Sequence, residues 1–321
     1  MKAFVLKELN KYPELESVQF PTLSDDHEVY LKINASALNH RDLWIVNGLY
    51  PNIKLNSVLG SDACGTSCDN RFLVNPGLDW GDHQDYQSDE FHVLGMPSMG
   101  TFAEHISVNE KYLYPCPAHL TDTEAAALPL AGVTAYRALF SRAKTKSEDR
   151  VLISGIGGGV ALFAMQFAIA TGCEVIVTSS SDYKIAEAIN LGAHAGYLYN
   201  NPDWYKELIH DFGGVDVVID GACGNGFNHL VKSCNPGARI SFYGGSAGKI
   251  DGLNPHAIFW RQISILGSTM GSDQDFAEML DFVTNHQIKP VIDTVYPFDQ
   301  IPEGFKRMAS GSQFGKIVFQ H

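Results

Sequence analysis

Residues 151–172 read VLISGIGGGVALFAMQFAIATG, and this stretch decides the fold. Val151, Leu152 and Ile153 form an apolar run of the kind that makes a strand buried on both faces. Glycines at 155, 157, 158 and 159 follow as a turn. The small and apolar run from Val160 to Ala170 then predicts a helix with little polar surface, packed tightly under a sheet. Glycines let the chain bend sharply and let an anion approach the backbone N–H groups at a helix start, where unpaired donors and the helix dipole favour negative charge. The stretch therefore reads as a seat for a dinucleotide pyrophosphate, with Gly155, Gly157, Gly158 and Gly159 as its backbone. The spacing supplies Gly155-x-Gly157, but the third glycine of the usual fingerprint falls on Val160, which makes the motif weak by itself. A glycine-rich turn without a ligand is the competing reading.

Glu174–Thr178 arrives one strand–helix–strand unit later and reads as the second strand. A carboxylate at its tip would hold a ribose 2′-hydroxyl; a 2′-phosphate excludes that charge. Here the tip reads Thr178-Ser179-Ser180-Ser181, with no acid before Asp182 and with Lys184 shortly after. Ser179, Ser180 and Lys184 suit a 2′-phosphate, so NADP(H) is the expected cofactor. The alternative is that the serines only cap the next helix.

A chain of 321 residues fits two domains. Its 45% hydrophobic and 18% charged residues describe a globular protein, and no apolar run reaches membrane-spanning length. Met1-Lys-Ala-Phe-Val starts as a strand rather than a signal peptide. The formal net charge of −13 argues against general nucleic-acid binding. Cys64, Cys68, Cys116, Cys173, Cys223 and Cys234 have no framework spacing, which suits a reducing cytoplasm.

Residues 2–34 alternate as β structure, residues 35–48 contain a short glycine-closed helix, and residues 101–108 form another strand. Thr121-Asp-Thr-Glu124 is a capping-box pattern that starts a helix. Strands and helices then alternate, with strands at 215–220, at 238–243 ending on Tyr243, and at 263–266. That alternation predicts an α/β fold with a doubly wound parallel sheet of Rossmann type. After residue 288 the pattern returns to short β segments around a helix near 300–309. The expected organisation is a discontinuous β-rich domain, residues 1–115 and 288–321, embracing a nucleotide domain at 116–287.

Several motifs in order carry a family resemblance: Asn39-His-Arg-Asp42, Leu59-Gly-Ser-Asp62, Gly100-Thr-Phe-Ala-Glu104, Ala125–Pro129 with Thr134-Ala-Tyr136, the glycine turn, and Gly315-Lys-Ile-Val318. Over essentially its full length the chain resembles the medium-chain dehydrogenase/reductase family, in particular its zinc-independent quinone-oxidoreductase-like and zinc-type alcohol dehydrogenase-like members. The resemblance implies a chaperonin-10-like catalytic domain beside the Rossmann domain, with the active site in the cleft between them, in a homodimer formed through the region 263–270. It implies Asn39, Asp42 and Tyr50 as active-site residues, with Trp44 nearby, and Thr134 and the Val160 turn against the cofactor. Residue by residue, the alternatives are that Asn39 braces its helix, Asp42 pairs with a neighbour, and Trp44 and Tyr50 are core.

Zinc is not expected. Asn39 stands where zinc-dependent relatives have Cys, Ser61 stands where they have His, and the later ligand Cys is missing from Pro129–Thr134. Residues 81–95 (GDHQDYQSDEFHVLG) hold no cysteine for a structural lobe. A tetrahedral site needs three or four converging ligands, and Cys64, Cys68, His83 and His92 match no common spacing. Without that Lewis acid the implied reaction is hydride transfer from NADPH to an acceptor with its own electron sink, a quinone, enone or related conjugated carbonyl. The alternatives are a catalytically silent NADP-binding relative, acting as a sensor or structural protein, and a zinc alcohol dehydrogenase. One departure stands out. The family carries a further strand–turn–strand, about a dozen residues, between Thr66 and Arg71, where only Ser67-Cys-Asp-Asn70 remains. Strands lost from a small barrel remove core area and leave unpaired edges, so the chain is either a natural compact variant or a shortened form whose catalytic domain is compromised.

Overall fold

Six parallel strands form one sheet. Across it run Ala195–Leu198, Glu174–Ser179, Arg150–Ile153, Val215–Asp220, Cys234–Phe242 and Ser264–Gly267, the order 3-2-1-4-5-6 in chain sequence. This is the doubly wound order of a dinucleotide-binding domain, whose strand order reverses between the first and fourth strands. Val151 pairs Val175 on one side and Val217 on the other, so the apolar run is central, as its composition requires. The helix Gly159–Thr171 buries Ala161, Leu162, Phe163, Ala164, Met165, Phe167 and Ala168, and it closes on Gly172 in the left-handed region. In this computed structural model, residues 1–24 and 26–321 are described. None of their helices is long and apolar enough to cross a membrane.

The chain divides into two units, Met1–Val133 with Gly271–His321, and Thr134–Met270. The first unit holds more than the expected 1–115 and 288–321. Helix Asp122–Ala126, whose Thr121 capping box is formed, packs on strands Glu28–Ala37 and Asp62–Ser67. Helix Asp273–Asn285 is tied to the same unit through Asn75, which donates to the Asp273 carboxylate at 2.8 Å, and through Phe276 against Tyr114 at 4.8 Å.

The first unit is β-rich. Its main sheet runs Leu113–Pro115, Asn70–Val74, Asp62–Ser67, Glu28–Ala37, Lys316–Gln320 and Ile292–Pro297, and His105–Asn109 also pairs Glu28–Ala37. A smaller sheet joins Glu14–Ser17, Lys2–Leu6 and Ser57–Val58. Phe4, Leu6, Phe102, Phe305 and Phe319 fill one core, and Leu31, Ile33, Ala63, Val74 and Ile106 another. The unpaired edges expected around residues 66–71 are not found. Ser67 pairs Asn70 across a two-residue turn in which Cys68 (φ 46°) and Asp69 (φ 63°) are both left-handed. Strand Asn70–Val74 is paired on both sides. A hairpin of type I′ geometry, whose twist suits its flanking strands, closes the place of the missing segment.

Candidate active site

Strand Glu28–Ala37 pairs Lys316–Gln320 antiparallel, and the Leu38 N–H donates to Ile317 O, so Lys316 arrives where helix His40–Val46 begins. Its side chain is 4% exposed and its ammonium donates three bonds, to Leu38 O at 2.9 Å, Asn39 Oδ1 at 2.7 Å and Asp62 Oδ2 at 2.9 Å. Asn39 Nδ2 donates to the same Asp62 oxygen at 2.9 Å, and the Leu130 N–H donates to Asp62 Oδ1 at 2.8 Å. Every ammonium hydrogen and both ends of the Asn39 amide are therefore engaged. This is the geometry a buried charge requires, paired and fully hydrogen-bonded.

Asp42, three residues into the helix, accepts the Asn39 N–H on Oδ2 at 2.9 Å and is fully buried. Its Oδ1 is buried with no partner among the described residues. Burial pushes its carboxyl up to about 6, and the neighbouring Arg41 charge only partly opposes this. Arg41, 7% exposed, donates Nη1 to Ser61 Oγ at 2.7 Å and to Leu94 O at 3.0 Å. Its Nη2 donates to Tyr50 Oη at 3.4 Å, and its guanidinium carbon lies 4.9 Å from the Tyr50 ring centroid. Tyr50 is half-buried, as is Trp44.

These contacts bear on zinc. Asn39 and Asp62 surround an ammonium, Ser61 holds a guanidinium, and the backbone N–H of Leu130 is aimed at Asp62. A dication placed among these groups would meet two fixed positive charges and an amide already spoken for, with no thiolate or imidazole to bind it. The residues do not fit zinc. Among the described residues no three His, Cys, Asp or Glu side chains gather to hold a metal ion.

The second unit carries the glycine turn. Gly155 (φ 63°) and Gly157 (φ 126°) are both left-handed, a conformation the turn could not take with ordinary side chains. Gly158 caps the helix Gly159–Thr171 without any side-chain bond. A Cβ placed on Gly155 or Gly158 would meet nothing within 4 Å, so the bend faces open space, a cradle bounded by backbone. Val160 lies in the first turn of that helix, where the fingerprint has its third glycine. A Cβ on Gly157 would come within 2.8 Å of Lys184 Cδ and 3.3 Å of its Nζ, so Lys184 lies along the turn itself. Thr178 Oγ1 accepts the Gly155 N–H at 3.2 Å and fixes the bend to the second strand.

Of the tip serines, Ser179 is buried and its hydroxyl accepts the Ser181 N–H at 3.2 Å, whereas Ser180 is exposed. Ser181 caps helix Asp182–Asn190, so capping accounts for one serine of the three. At the strand-order reversal, Ser154 Oγ bonds the buried Asp220 carboxylate, which also accepts the Cys223 N–H at 2.7 Å. The Tyr243 N–H donates to Asp220 O at 2.9 Å and its ring covers Gly221. Thr134 is 5% exposed in helix Pro129–Tyr136.

The structure thus joins Asn39 and Asp42 through one hydrogen bond, sets Tyr50 against Arg41, and brings Thr178 and Lys184 to the glycine turn, with Ser179 and Ser180 next in the chain after Thr178. Sequence reasoning did not single out Lys316, Arg41 or the Ser154–Asp220 pair. A lysine inside the apolar strand of Phe314-Gly-Lys-Ile-Val-Phe319 was the available signal, because a charge in a buried strand needs a partner.

A six-stranded 3-2-1-4-5-6 sheet with an anion-receptive turn, in a chain that also holds a β-rich unit, defines a two-domain oxidoreductase that uses a nicotinamide dinucleotide. Residues 159–285 match the zinc-binding dehydrogenase family and residues 25–69 the alcohol dehydrogenase GroES-like domain. The zinc-type alcohol dehydrogenase-like protein YogA of Leptosphaeria maculans is 32% identical over 96% of this chain and 95% of its own length. Among solved structures, an NAD-dependent alcohol dehydrogenase superposes with a TM-score of 0.94 at 32% identity, covering 100% of both chains. The quinone oxidoreductase of Thermus thermophilus, solved also in complex with NADPH, gives 0.84 at 26%, again over 100% of both. The chain belongs to the medium-chain dehydrogenase/reductase superfamily.

Proposed function

We propose that the protein is an NADPH-dependent, zinc-independent reductase of quinones, enones or related conjugated carbonyls. The observation that carries this reading is the ammonium–carboxylate–amide cluster of Lys316, Asp62 and Asn39, in which Asn39 stands where zinc-dependent relatives have Cys. Carbonyl polarisation then falls to the acceptor's own conjugation and to hydrogen-bond donors of the protein. NADPH bound at the glycine turn supplies the hydride. Gly155, Gly157, Gly158, Gly159 and Val160 seat its pyrophosphate, and Ser180 and Lys184 receive the 2′-phosphate where no carboxylate opposes it. Ser179 shapes that rim, and Thr134 and Tyr243 serve as cofactor contacts further along. In the first unit Tyr50 is the donor toward the acceptor oxygen, while Asn39 and Asp42 cap the helix His40–Val46 that precedes it.

The similarity to an NAD-dependent alcohol dehydrogenase favours NADH as the second reading. Fluorescence titration separates the two. Lys184→Ala is expected to weaken NADPH about tenfold, roughly 1.4 kcal/mol, and NADH little; equal losses remove the argument for a phosphate. An acceptor panel follows. Binding without turnover of any quinone or enone identifies a silent nucleotide-binding protein, and stoichiometric zinc in the purified protein overturns the metal-free reading.

A further inference from the structure

Arg41 is more thoroughly buried than its sequence neighbourhood requires. In the seven-residue helix His40–Val46 only His40 is exposed, and Arg41, next to it, turns inward and is 7% exposed. Four of its bonds go to uncharged oxygens: Ser61 Oγ, Leu94 O, Met96 O and Tyr50 Oη. Its Nε is buried with no partner among the described residues, and no carboxylate there bonds the guanidinium. The nearby Asp62 is engaged by Lys316 and Asn39, and Asp42 turns its bonded oxygen to the Asn39 N–H. The guanidinium thus bonds only neutral acceptors, and its field is shared with the neighbouring Asp42 carboxyl. Such a field stabilises any negative charge formed beside it.

Tyr50 lies in that field. Its oxygen accepts from Arg41 Nη2 while its ring stacks under the guanidinium carbon. A phenol whose oxygen receives an Arg N–H directs its own hydrogen elsewhere, and Tyr50 is only half-buried.

We propose that Arg41 is a positioning residue that orients the Tyr50 hydroxyl as a donor to the acceptor's carbonyl oxygen and stabilises the negative charge collecting there. The proposal rests on the reductase reading above. A reduced nicotinamide dinucleotide, when bound, would supply the hydride, one hydrogen with its electron pair, and would be left oxidised. As the C–H bond forms at the β-carbon of an enone, the C=C electrons shift to the carbonyl oxygen. Tyr50 donates its proton to that oxygen and is reprotonated by water; the enol then returns to the ketone.

The test compares Arg41→Met, Arg41→Lys, Tyr50→Phe and the Arg41→Met/Tyr50→Phe double variant with the wild type, each checked for an unchanged thermal melt. The protein without dinucleotide is titrated with 4-nitrophenol, whose colour reports its ionisation and whose anion resembles the charged oxygen of the reaction. The bound probe is expected to titrate about one pH unit lower than the free probe in the wild type and in Arg41→Lys, and at its free value in Arg41→Met. In turnover, Arg41→Met is expected to lower kcat about 10- to 100-fold with KM changed less than about threefold. The double variant should be no worse than the poorer single one, because the two residues act as a unit. A wild-type probe that titrates at its free value, the same shift in Arg41→Met, or a double loss equal to the product of the singles overturns the proposal. If Arg41→Met does not fold, Arg41→Lys decides, since it keeps the charge and loses the fork: retained probe shift with lowered kcat supports orientation, and unchanged kcat refutes it. An Arg41-dependent probe shift in a protein that reduces no acceptor sinks the reductase reading and leaves the charged site standing. Turnover indifferent to Arg41 does the reverse.

Discussion

At the scale of single residues, two buried charges set the behaviour of the first unit. Asp42 has a folded value of about 6 against an ordinary value of 3.8, raised by burial. The folded protein therefore binds a proton that the unfolded chain has released between those two values. Its contribution to stability is present below about pH 4 and is lost as pH rises to 6, on the order of 3 kcal/mol. Asp42→Asn should flatten that part of the profile, read as the melting temperature across pH 4 to 7; an unaltered slope would show that Asp42 is not responsible. Lys316 is the opposite case, a charge held by its partners. Lys316→Met is expected to cost about 3–5 kcal/mol in denaturant unfolding, because Asp62 is left buried without its counter-ion, held by the Asn39 amide and the Leu130 N–H alone. Adding Asp62→Asn should restore part of that loss, and strictly additive losses would mean the pair is not coupled.

Elements show where local sequence suffices. The strand–turn–helix at 150–171 was legible because its glycines and its largely apolar helix have few other uses, and the observed bounds, Arg150–Ile153 and Gly159–Thr171, agree with that reading to within a residue. The turn also separates folding from binding. Gly158 has φ −83° and open space around a Cβ, so Gly158→Ala should leave the melting temperature within a degree or two. A methyl group at the cradle should nonetheless weaken dinucleotide binding about tenfold or more by titration. Unchanged affinity would place the pyrophosphate elsewhere. The hairpin at 67–70 was not legible. Cys68-Asp69 lacks the Asn-Gly signature, and a missing segment reads as lost strands until pairing is seen. Cys68→Asn with Asp69→Gly should raise stability by roughly 0.5–1 kcal/mol in urea unfolding; a loss would mean that the left-handed turn is not what the two strands require.

Across the whole molecule, the alternation of strands and helices identified the doubly wound sheet, and the compact unit around it spans Thr134–Met270. Periodicity shows that a helix has an apolar face and not which sheet receives it. Helices Asp122–Ala126 and Asp273–Asn285 therefore read as part of the nucleotide unit and belong to the other. The same limit hid the Lys316 cluster, whose members lie far apart in sequence and meet only through strand pairing. At the sheet edge, Ser264–Gly267 is paired on one side only among the described residues, and Trp260 before it is 83% exposed. Light scattering is expected to show a homodimer through this edge, and Ile265→Lys to shift it toward monomer; a monomeric wild type would refute that assembly.

Lys316 follows its partner Asp62 by 254 residues, so a nascent chain exposes the carboxylate long before its counter-ion is synthesised. Until the strand Lys316–Gln320 leaves the ribosome, the N-terminal barrel lacks both a sheet member and its internal neutralisation. Closure of this unit should accordingly wait for the synthesis of Lys316–Gln320. In arrested-translation proteolysis, a chain stalled before Lys316 should be cleaved readily within residues 28–74, and protection at that stage would show the barrel closing without it.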